Sequence, residues 1–592
     1  MTPVTVNGCF GWLHTNAEVG AGDVAVLLCP GVNRDALNAH HPLRLLADEL
    51  LALGYPVMRF DYPGTGDSCD VEGLGGAPGE AWTAWQQSLH LAADWLRHAS
   101  GARRLVFCGL RVGATLATLV AARRDDVAGL VLLAPVLRGH SYIRQLTVEA
   151  WLQSSTGAAT GGGLEFQELS LSAETVDMIG RADLRQVALS SGQQVAVFSS
   201  SASRLLAECV QAWSRSGAAV ACAGFEGLEP LLRDNMYESP SVDFSRVTGW
   251  LRHAVPASPR PPAAGAPDPE PAVLRPPGCL ETPLRFGPDR RLFGMLCRPD
   301  RDAGNQAVII GNFGRNPHYG LARFGVEFAR KLATEGISSL RIDFAGLGDS
   351  LGPPGREAVL SHMFETDRRP DISAAIDALE ELGFRRFAVQ GLCAGAYHAL
   401  HAALVDPRIA TLLLVNLPTF RWQHGWSVRA AYGTMLKPIY YLRQLCKKEK
   451  LWRLLQGEVD IVNILFGQCL RLRGHVLAAL RRLAALPRDG AAPSFAWHAM
   501  TTLSQRRGRT LFLFAPGDFG LDHFEEEFGP MGAKLRSLDG VSMQIVPGLD
   551  HHLKDRTTRQ TAVTWMIDHL QTAVAVPDSG NASGLCPAAV PP

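Results

Sequence analysis

The sequence predicts an α/β fold built twice: two tandem domains, each with a mostly parallel sheet between helices on both faces. Strand-like apolar runs alternate with helix-like stretches through both halves of the 592-residue chain, and this alternation is typical of parallel sheets with crossover helices. A glycine-rich turn and a second glycine motif each occur once per half. A chain of this length also exceeds what one hydrophobic core usually organises.

The duplication is inferred from a constant spacing between matching motifs. An Asp-x-x-Gly-x-Gly-x-Ser turn occupies 61–68 and recurs at 343–350, and a Gly-x-x-x-Gly motif occupies 109–113 and recurs at 391–395. Both recurrences lie 282 residues further along the chain. Because a fixed offset across separate motifs indicates an internal repeat, we interpret the two halves as a tandem duplication.

The first half alternates its elements as this fold requires. A strand is expected over Val24–Pro30, a helix over Leu43–Leu53, and a second strand from Tyr55 into the glycine-rich turn. The neighbouring histidines His40 and His41 fall between the first strand and this helix. They are therefore assigned to a loop.

Composition marks the border between the two halves. Val255–Gly278 is dominated by proline and alanine, so it is predicted to be an extended and poorly packed linker. It separates a first domain over 1–254 from a second over 279–575. The tail 576–592 is low in core-forming residues and is expected to be disordered.

The second glycine motif of the C-terminal half has the features of a nucleophile elbow. A buried-strand pattern runs to Gly391, Cys393 follows, and the chain continues after Gly395 as a helix-like run. Glycine is needed on both sides because side chains there would collide with the neighbouring strand and helix. Cys393 would then lie at a helix N-terminus, where the macrodipole favours a thiolate. A buried structural cysteine is the alternative interpretation.

Each half resembles the α/β hydrolases, and more narrowly the serine-aminopeptidase-like and exosortase-associated hydrolases, in which the same glycine-rich turn precedes the elbow by a few dozen residues. The resemblance covers nearly the whole chain apart from the linker and tail. It departs from the usual pattern in having cysteine, not serine, at the second elbow. It implies two tandem α/β-hydrolase domains with a helical cap insertion, and the chain order nucleophile, acid, histidine.

In that order, Asp518 and His551 are predicted to complete a catalytic triad with Cys393, because each lies in the turn after an apolar strand. Asp522, four residues beyond Asp518, is the alternative acid. His552 is retained either as an alternative base or as a solvent-exposed neighbour of His551.

Two backbone N–H groups are expected to stabilise an oxyanion. One belongs to Ala394, directly after the predicted nucleophile, and the second is assigned to Phe313 in the loop after the first core strand of this half. Asp343 and Ser350 in the glycine-rich turn are interpreted as structural.

The first half lacks these chemical groups. Arg111 stands where the second half has cysteine, and a guanidinium remains protonated and cannot attack a carbonyl. The strand Val195–Phe198 ends in serines instead of an acid, and no histidine occurs in the turn after Ala218–Ala223. This half is therefore predicted to be a scaffold or interface domain. In the alternative interpretation, Arg111 binds a carboxylate or phosphate.

A long insertion over 420–509 is predicted to form a helical lid. It contains sixteen Lys and Arg residues against four Asp and Glu, in a chain of zero formal net charge. Such charge fits a solvated helical face. It also fits an anionic partner, such as the phosphopantetheine arm of coenzyme A or an acidic acyl carrier protein, or a membrane surface.

Composition excludes several classes of function. Zero net charge argues against a nucleic-acid-binding protein, and no apolar run reaches membrane-spanning length, so a cytoplasmic protein without stable membrane insertion is expected. The twelve cysteines lack metal-binding spacing and fit reduced thiols. No metal and no cofactor are expected.

These features predict an enzyme that hydrolyses an ester or thioester in the manner of a thioesterase, through an acyl intermediate on Cys393. His551 would be the base and Asp518 would orient it. Because an acyl-thioester can be passed to acceptors other than water, an acyltransferase or acyl-condensing enzyme is the first alternative. A non-catalytic tandem scaffold is the second.

Overall fold

A computed structural model describes most of the chain. The described residues are 1–15, 22–72, 80–153, 163–166, 169–200, 202–225, 227–232, 242–258, 271–301, 304–352, 363–422 and 494–574. Most of the predicted lid and the whole predicted tail lie outside these residues.

The first half is organised around an eight-stranded sheet and a separate two-stranded hairpin. Its strands are β1 (Thr2–Val6), β2 (Cys9–His14), β3 (Val24–Cys29), β4 (Val57–Phe60), β5 (Arg104–Leu110), β6 (Val127–Leu133), the hairpin β7 (Leu164–Phe166) and β8 (Leu169–Leu171), β9 (Gln194–Ser199) and β10 (Ala219–Gly224). The sheet order is β1-β2-β4-β3-β5-β6-β9-β10. Only β2 pairs antiparallel with its neighbours β1 and β4.

The second half repeats this sheet. Its strands are β11 (Cys279–Phe286), β12 (Leu292–Pro299), β13 (Gln306–Ile310), β14 (Ser338–Asp343), β15 (Arg386–Leu392), β16 (Ile409–Val415), β17 (Arg509–Phe514) and β18 (Val541–Ile545). Their order is β11-β12-β14-β13-β15-β16-β17-β18, which matches the first sheet strand for strand. The predicted tandem pair of α/β domains is therefore confirmed.

The helices pack on both faces of each sheet. They are α1 (Arg34–Ala52), α2 (Ala81–Ser100), α3 (Val112–Ala121), α4 (Gly139–Gln153), α5 (Ala173–Arg181), α6 (Arg204–Arg215), α7 (Leu228–Leu232), α8 (Ser245–Ala254), α9 (Phe324–Thr334), α10 (Arg369–Glu381), α11 (Ala394–Val405), α12 (Phe495–Gln505), α13 (Phe519–Phe528) and α14 (Arg556–Val574). Each described helix is too short or too polar to span a lipid bilayer.

Two apolar layers in each domain explain why the strands are nearly continuous hydrophobic runs. In the first domain, Leu27 and Phe107 belong to the layer beneath α2 and α3, whereas Val26 and Cys108 belong to the layer beneath α1 and α8. Successive side chains on a strand point to opposite faces. A parallel sheet covered on both sides therefore needs apolar residues at every position.

Helix α1 corrects the prediction for the two neighbouring histidines. It begins at Arg34 instead of Leu43, so His40 and His41 are helical and do not lie in a loop. His40 Nε2 lies 3.2 Å from the carboxylate of Asp349 in the second domain. The polar residues in the first turns of α1 contact the second domain. The helix was predicted from the spacing of its apolar residues, and that spacing gives no sign of polar positions buried against another domain.

The predicted linker is packed at both of its described ends. Val255 is buried and accepts a hydrogen bond from the Tyr55 hydroxyl at 3.0 Å. Leu274 is buried in an apolar cluster between the domains and forms a β-bridge with Glu281. The prediction of poor packing is therefore wrong for these two residues. Their apolar side chains are buried in hydrophobic clusters of the folded domains.

The two domains meet through ion pairs related by an approximate two-fold axis. Arg59 Nη2 donates to Asp349 Oδ1 at 2.9 Å, and Arg341 Nη2 donates to Asp67 Oδ1 at 3.0 Å. Arg341 and Asp349 are the counterparts, 282 residues on, of Arg59 and Asp67. All four side chains are buried. The arrangement is that of an isologous dimer, formed here within one chain.

Aromatic rings support the same junction. Phe10 on β2 stacks on Phe293 on β12, with ring centroids 6.4 Å apart, and Trp12 meets the edge of Phe293 at 4.8 Å. Leu274 belongs to the same buried cluster. The junction therefore combines apolar burial with paired charges.

His318 bridges the two domains by bonding to a carboxylate from each. Its Nε2 lies 2.6 Å from Asp67 Oδ2 and its Nδ1 lies 2.8 Å from Asp343 Oδ2. Burial by itself lowers the pKa of His318, but Asp67 and Asp343 outweigh burial and raise this pKa well above 6.5. A protonated ring donates from both nitrogens, so His318 is a buried imidazolium.

The bridge predicts a pH dependence of stability. Because the pKa of His318 is raised on folding, its contribution is fully present below about pH 6.5, the usual value for histidine, and is lost as pH rises through the raised pKa. The melting temperature of the wild type should therefore fall as pH rises above about 6.5. His318→Gln should flatten this profile, whereas His98→Gln, at an exposed position, should keep it. A wild-type profile that does not fall over this range would contradict the buried imidazolium.

Candidate active site

Cys393 lies at the junction of β15 and α11, as the glycine spacing predicts. Its backbone has φ 55° and ψ −115°, a left-handed φ that is costly for a non-glycine residue and is found at functional turns. Cys393 N donates to Val415 O at 2.9 Å, which ties the turn to the next strand. The residue is 3% exposed and lies at the N-terminus of α11.

The two glycines of the elbow have no room for a side chain. A Cβ atom on Gly391 would overlap the backbone of Gly395, and one on Gly395 would lie 2.5 Å from the carbonyl oxygen of Asn312. The elbow therefore packs directly against the loop after β13, which begins at Gly311. This contact brings the loop that carries Phe313 next to Cys393.

His551 lies between Asp518 and Cys393. Its Nδ1 is 2.5 Å from Asp518 Oδ2, and its ring also forms a hydrogen bond with the Cys393 side chain. Asp518 is the N-cap of α13 and also accepts from Gly520 N at 2.8 Å. The structure thus brings together the three residues predicted from strand order.

The electrostatics of His551 follow from these neighbours. Burial by itself lowers its pKa, but the charges of Asp518 and Cys393, with their hydrogen bonds, outweigh burial and raise the pKa well above 6.5. A carboxylate on one side and a sulfur on the other therefore stabilise the imidazolium. An imidazolium next to a cysteine is the arrangement that sustains a reactive thiolate.

Asn416, which sequence reasoning missed, holds the acid and histidine turns together. Its Nδ2 donates to His551 O at 3.0 Å and its Oδ1 accepts from Ala515 N at 2.8 Å. The residue is fully buried and has φ 49°. One signal was available: Asn416 is a polar residue directly after a buried apolar strand, at the sheet edge where Cys393 lies.

Aromatic rings surround His551. Phe519 stacks on it with centroids 5.0 Å apart, and Phe313 lies 6.4 Å away. His552 is half-buried and its ring meets the edge of Phe313 at 5.7 Å, so it is not the solvent-exposed neighbour that was considered. Burial, with the charge of His551, lowers the pKa of His552 to about 2. Asp522 lies in the first turn of α13.

The predicted structural residues of the glycine-rich turn have that role. Asp343 accepts from His318 N at 2.7 Å and from Asn312 Nδ2 at 2.8 Å. Ser350 donates to Asp343 O at 2.6 Å and accepts from Phe293 N at 2.8 Å. Asp343 therefore anchors the loop after β13, and Ser350 ties the turn to the neighbouring strand.

The predicted oxyanion donors lie on the two segments that meet at the elbow. Ala394 is the first residue of α11, directly after Cys393. Phe313 is a buried residue of the loop after β13 and packs in the apolar cluster that includes Cys393. Their role in oxyanion binding stays a prediction.

The first domain keeps the shape of the elbow without its chemistry. Arg111 has φ 54° and ψ −120°, within a few degrees of Cys393. Its Nε lies 3.3 Å from Asp35 Oδ2 and its Nη2 donates to Gln145 Oε1 at 2.9 Å. The guanidinium that was considered as an anion site therefore has a carboxylate of its own chain as partner. The described residues after β10, Phe225 and 227–232, include no histidine.

One group in the described part of the chain has the spacing of metal ligands. The ligand atoms of His318, Asp343 and Asp349 lie within 4.8 Å of one another. Both ring nitrogens of His318 already bond to carboxylates, and an imidazolium has no lone pair for a metal. This group is a charge network of the domain junction.

Comparison with known proteins relates part of the first domain to one family model. Residues 21–196 match the family model of serine aminopeptidase, S33, and this segment includes the glycine-rich turn, the elbow and β3–β6, four of the eight strands of the first sheet. The matched segment lies in the domain with Arg111 at its elbow, and the second domain repeats its sheet order.

Individual relatives are distant. An uncharacterized protein, YcjY of Escherichia coli K12, is 34% identical over 106 residues, which cover 17% of this chain and 33% of that protein. The chain thus spans about a third of the length of this curated relative. An esterase structure from Pyrococcus furiosus is similar at 12% identity, covering 49% of this chain and 90% of its own, with a TM-score of 0.32. A proline iminopeptidase from Mycobacterium smegmatis is similar at 16% identity, covering 50% and 99%, with a TM-score of 0.31.

The ion pair between Asp518 and His551 predicts the reactivity of Cys393. Removing the charge in Asp518→Asn should lower the pKa of His551 and weaken its support of a thiolate. Because a neighbouring opposite charge moves a pKa by about 1–3 units, alkylation of Cys393 by iodoacetamide at pH 7 should slow at least about tenfold. Intact-mass spectrometry over a pH series measures the rate.

The control for this prediction is Asp522→Asn, the same substitution at the alternative acid. It should leave the alkylation rate within about twofold of the wild type, because Asp518 forms the bond to His551. If the alkylation rate fell equally in Asp518→Asn and Asp522→Asn, Asp518 would not be the residue that keeps His551 protonated.

Proposed function

We propose that the protein is an acyl-transfer enzyme of the α/β-hydrolase type, which hydrolyses an ester or thioester through a covalent acyl-Cys393 intermediate. One observation carries the proposal: His551 bonds to Asp518 on one side and to Cys393 on the other, at an elbow with a strained left-handed backbone. Nucleophile, base and orienting acid are the three parts that such chemistry needs.

In the acylation step, Cys393 Sγ attacks the carbonyl carbon of the substrate. A new S–C bond forms, the carbonyl oxygen becomes an oxyanion, and the N–H groups of Ala394 and Phe313 stabilise it. When the oxyanion collapses, the bond from carbon to the leaving oxygen or sulfur breaks. His551, which holds the thiol proton, gives it to that leaving group.

In the deacylation step, His551 takes a proton from a water molecule. The hydroxide attacks the acyl-thioester, a C–O bond forms, the C–S bond breaks, and Cys393 leaves as a thiolate beside the protonated His551, which restores the starting state. Asp518 holds the imidazole in one orientation through both steps and stabilises its charged form. An alcohol, amine or thiol in place of water would give acyl transfer by the same route.

The contrast between the two elbows supports this proposal over a scaffold without catalysis. Arg111 and Cys393 have nearly the same backbone conformation, but the neighbour of Cys393 is His551, which is itself bonded to Asp518. Arg111 has Asp35 and Gln145 as partners instead. The elbow of the first domain therefore has no nucleophile, whereas the elbow of the second domain has a cysteine with a histidine beside it.

The direct test is to trap the acyl-enzyme. Brief incubation with p-nitrophenyl butyrate or with the butyryl thioester of N-acetylcysteamine, followed by acid quench, should add one butyryl group to the wild type. Cys393→Ala should abolish the adduct, and His551→Ala should slow its formation about 10²–10⁴-fold, the usual contribution of acid–base catalysis. Intact-mass and peptide mass spectrometry measure both.

Cys222→Ala is the matched control, because Cys222 is an exposed cysteine of the first domain. This variant should acylate at the wild-type rate. An adduct that persists in Cys393→Ala, or a wild type without any adduct, would contradict the proposal. The non-catalytic tandem scaffold would then be the better interpretation. A rate of product formation that rises with added alcohol or amine, with appearance of the new ester or amide, would assign the enzyme as a transferase.

A further inference from the structure

We propose that the first domain is a positioning partner for the active site of the second. It would hold the loop over residues 311–323, here called the oxyanion loop, in the conformation that places the N–H of Phe313 near Cys393. This inference rests on the proposed function, and it gives the domain without a nucleophile a role in the reaction of its neighbour.

The near end of the oxyanion loop is anchored within the second domain. Asn312 Nδ2 donates to Asp343 Oδ1 at 2.8 Å and to Asn316 O at 2.9 Å, and its Oδ1 accepts from Phe344 N at 2.6 Å. Asn312 is 1% exposed. These bonds fix the loop where it leaves β13, one residue before Phe313.

The middle of the loop bonds to helix α1 of the first domain. Arg315 Nη2 donates to Asn38 Oδ1 at 2.9 Å. Tyr319 Oη lies 3.5 Å from His40 Nδ1, and the two rings meet edge to face at 5.7 Å. Residues two and six positions beyond Phe313 are therefore held by a helix more than 270 residues away in the chain.

The far end of the loop bonds to the glycine-rich turn of the first domain. Arg323 Nε donates to Gly66 O at 2.8 Å, its Nη2 to Ser68 O at 2.8 Å, and its Nη1 to Asp70 Oδ1 at 2.6 Å. The imidazolium of His318 adds its bond to Asp67. The hydrogen bonds from the loop to the first domain are long-range, and most of them are charge-assisted. Together they hold the loop in one position.

Backbone strain shows that the loop depends on these contacts. Ala322 and Arg323 are consecutive non-glycine residues with φ 53° and 54°. Such a backbone conformation is costly for a non-glycine residue and persists only where surrounding structure imposes it. The three bonds from Arg323 to the first domain impose it here.

Comparison of the two halves shows that the oxyanion loop depends on α1 more than α1 depends on the loop. Residues 34–41 are the counterpart of 316–323, 282 positions earlier, and they form the first two turns of α1. A helix supports itself through its own backbone hydrogen bonds. The segment 316–323 has isolated turns instead, with backbone bonds such as Asn316 N to Phe313 O at 3.0 Å and Gly320 N to Pro317 O at 2.7 Å, and it bonds to α1, which has a continuous ladder.

Apolar contacts extend the first domain toward the reacting sulfur. Leu37 on α1 packs against the hydrophobic cluster of the second domain that contains Phe313 and Cys393. Misplacing a catalytic group by about 1 Å can cost on the order of 10²-fold in rate. A shift of α1 would therefore reach the chemistry through both Leu37 and Arg315.

The test separates positioning of the oxyanion donor from reactivity of the sulfur. Acylation of Cys393 by p-nitrophenyl butyrate forms an oxyanion, whereas alkylation by iodoacetamide displaces iodide from an sp³ carbon and forms none. The variants are Asn38→Ala, which removes the acceptor of Arg315, Asn38→Asp, which keeps an acceptor, and Arg323→Met, which keeps the aliphatic stem. Arg44→Met is the control, since Arg44 lies on the same helix and bonds across the same junction to Ser350 O, outside the loop.

The inference expects Asn38→Ala to lower the acylation rate constant at saturating ester about tenfold, below the about 10²–10³-fold loss of a complete donor. Arg323→Met should lose more, and Asn38→Asp and Arg44→Met should stay near the wild type. Alkylation of Cys393 should remain unchanged in all four variants.

Three results would overturn the inference. Acylation could be unchanged in both Asn38→Ala and Arg323→Met, acylation and alkylation could fall in parallel, or Asn38→Asp could lose as much as Asn38→Ala. A wild type that is alkylated at Cys393 but never acylated would instead overturn the proposed function, and the inference with it.

Discussion

The bond on which the rest of this structure depends is the contact of one buried imidazolium, His318, with two carboxylates. Asp67 belongs to the first domain and Asp343 to the second. Charges buried in this way are costly unless each has a partner, and here the partners come from different halves of the chain. Asp67 and Asp343 belong to the glycine-rich turns of the two domains, and His318 belongs to the loop beside Cys393. All three residues meet at the domain junction. Their geometry is therefore set together.

The two domains show which part of an active site is governed by backbone geometry and which by side-chain chemistry. Arg111 and Cys393 occupy elbows with matching torsion angles because close packing excludes side chains at the flanking glycines in both domains. Nothing in that packing selects the residue at the centre. The first domain has accordingly retained the turn, the sheet order and the junction while its elbow pairs with Asp35.

Local patterns were sufficient to predict the elements of the fold. The glycine spacing and the buried strands follow from sterics and burial along a few residues, and the strand order then placed Asp518 and His551 on the side of the sheet where Cys393 lies. The start of α1, the role of Asn416 and the bond between His318 and Asp67 were not predicted. Asn416 contacts a residue 135 positions away and His318 one 251 positions away, and no local periodicity encodes such partners.

The approximate two-fold junction also has an evolutionary consequence. In a dimer of identical subunits, every substitution is expressed in both copies, so a change that removes a nucleophile removes both of them. Fusion of the two copies into one polypeptide releases this constraint, and the ion pairs Arg59 with Asp349 and Arg341 with Asp67 can be inherited while other positions drift separately. Tethering also makes assembly independent of protein concentration. A gene with this arrangement can therefore specialise one half for chemistry and the other for support.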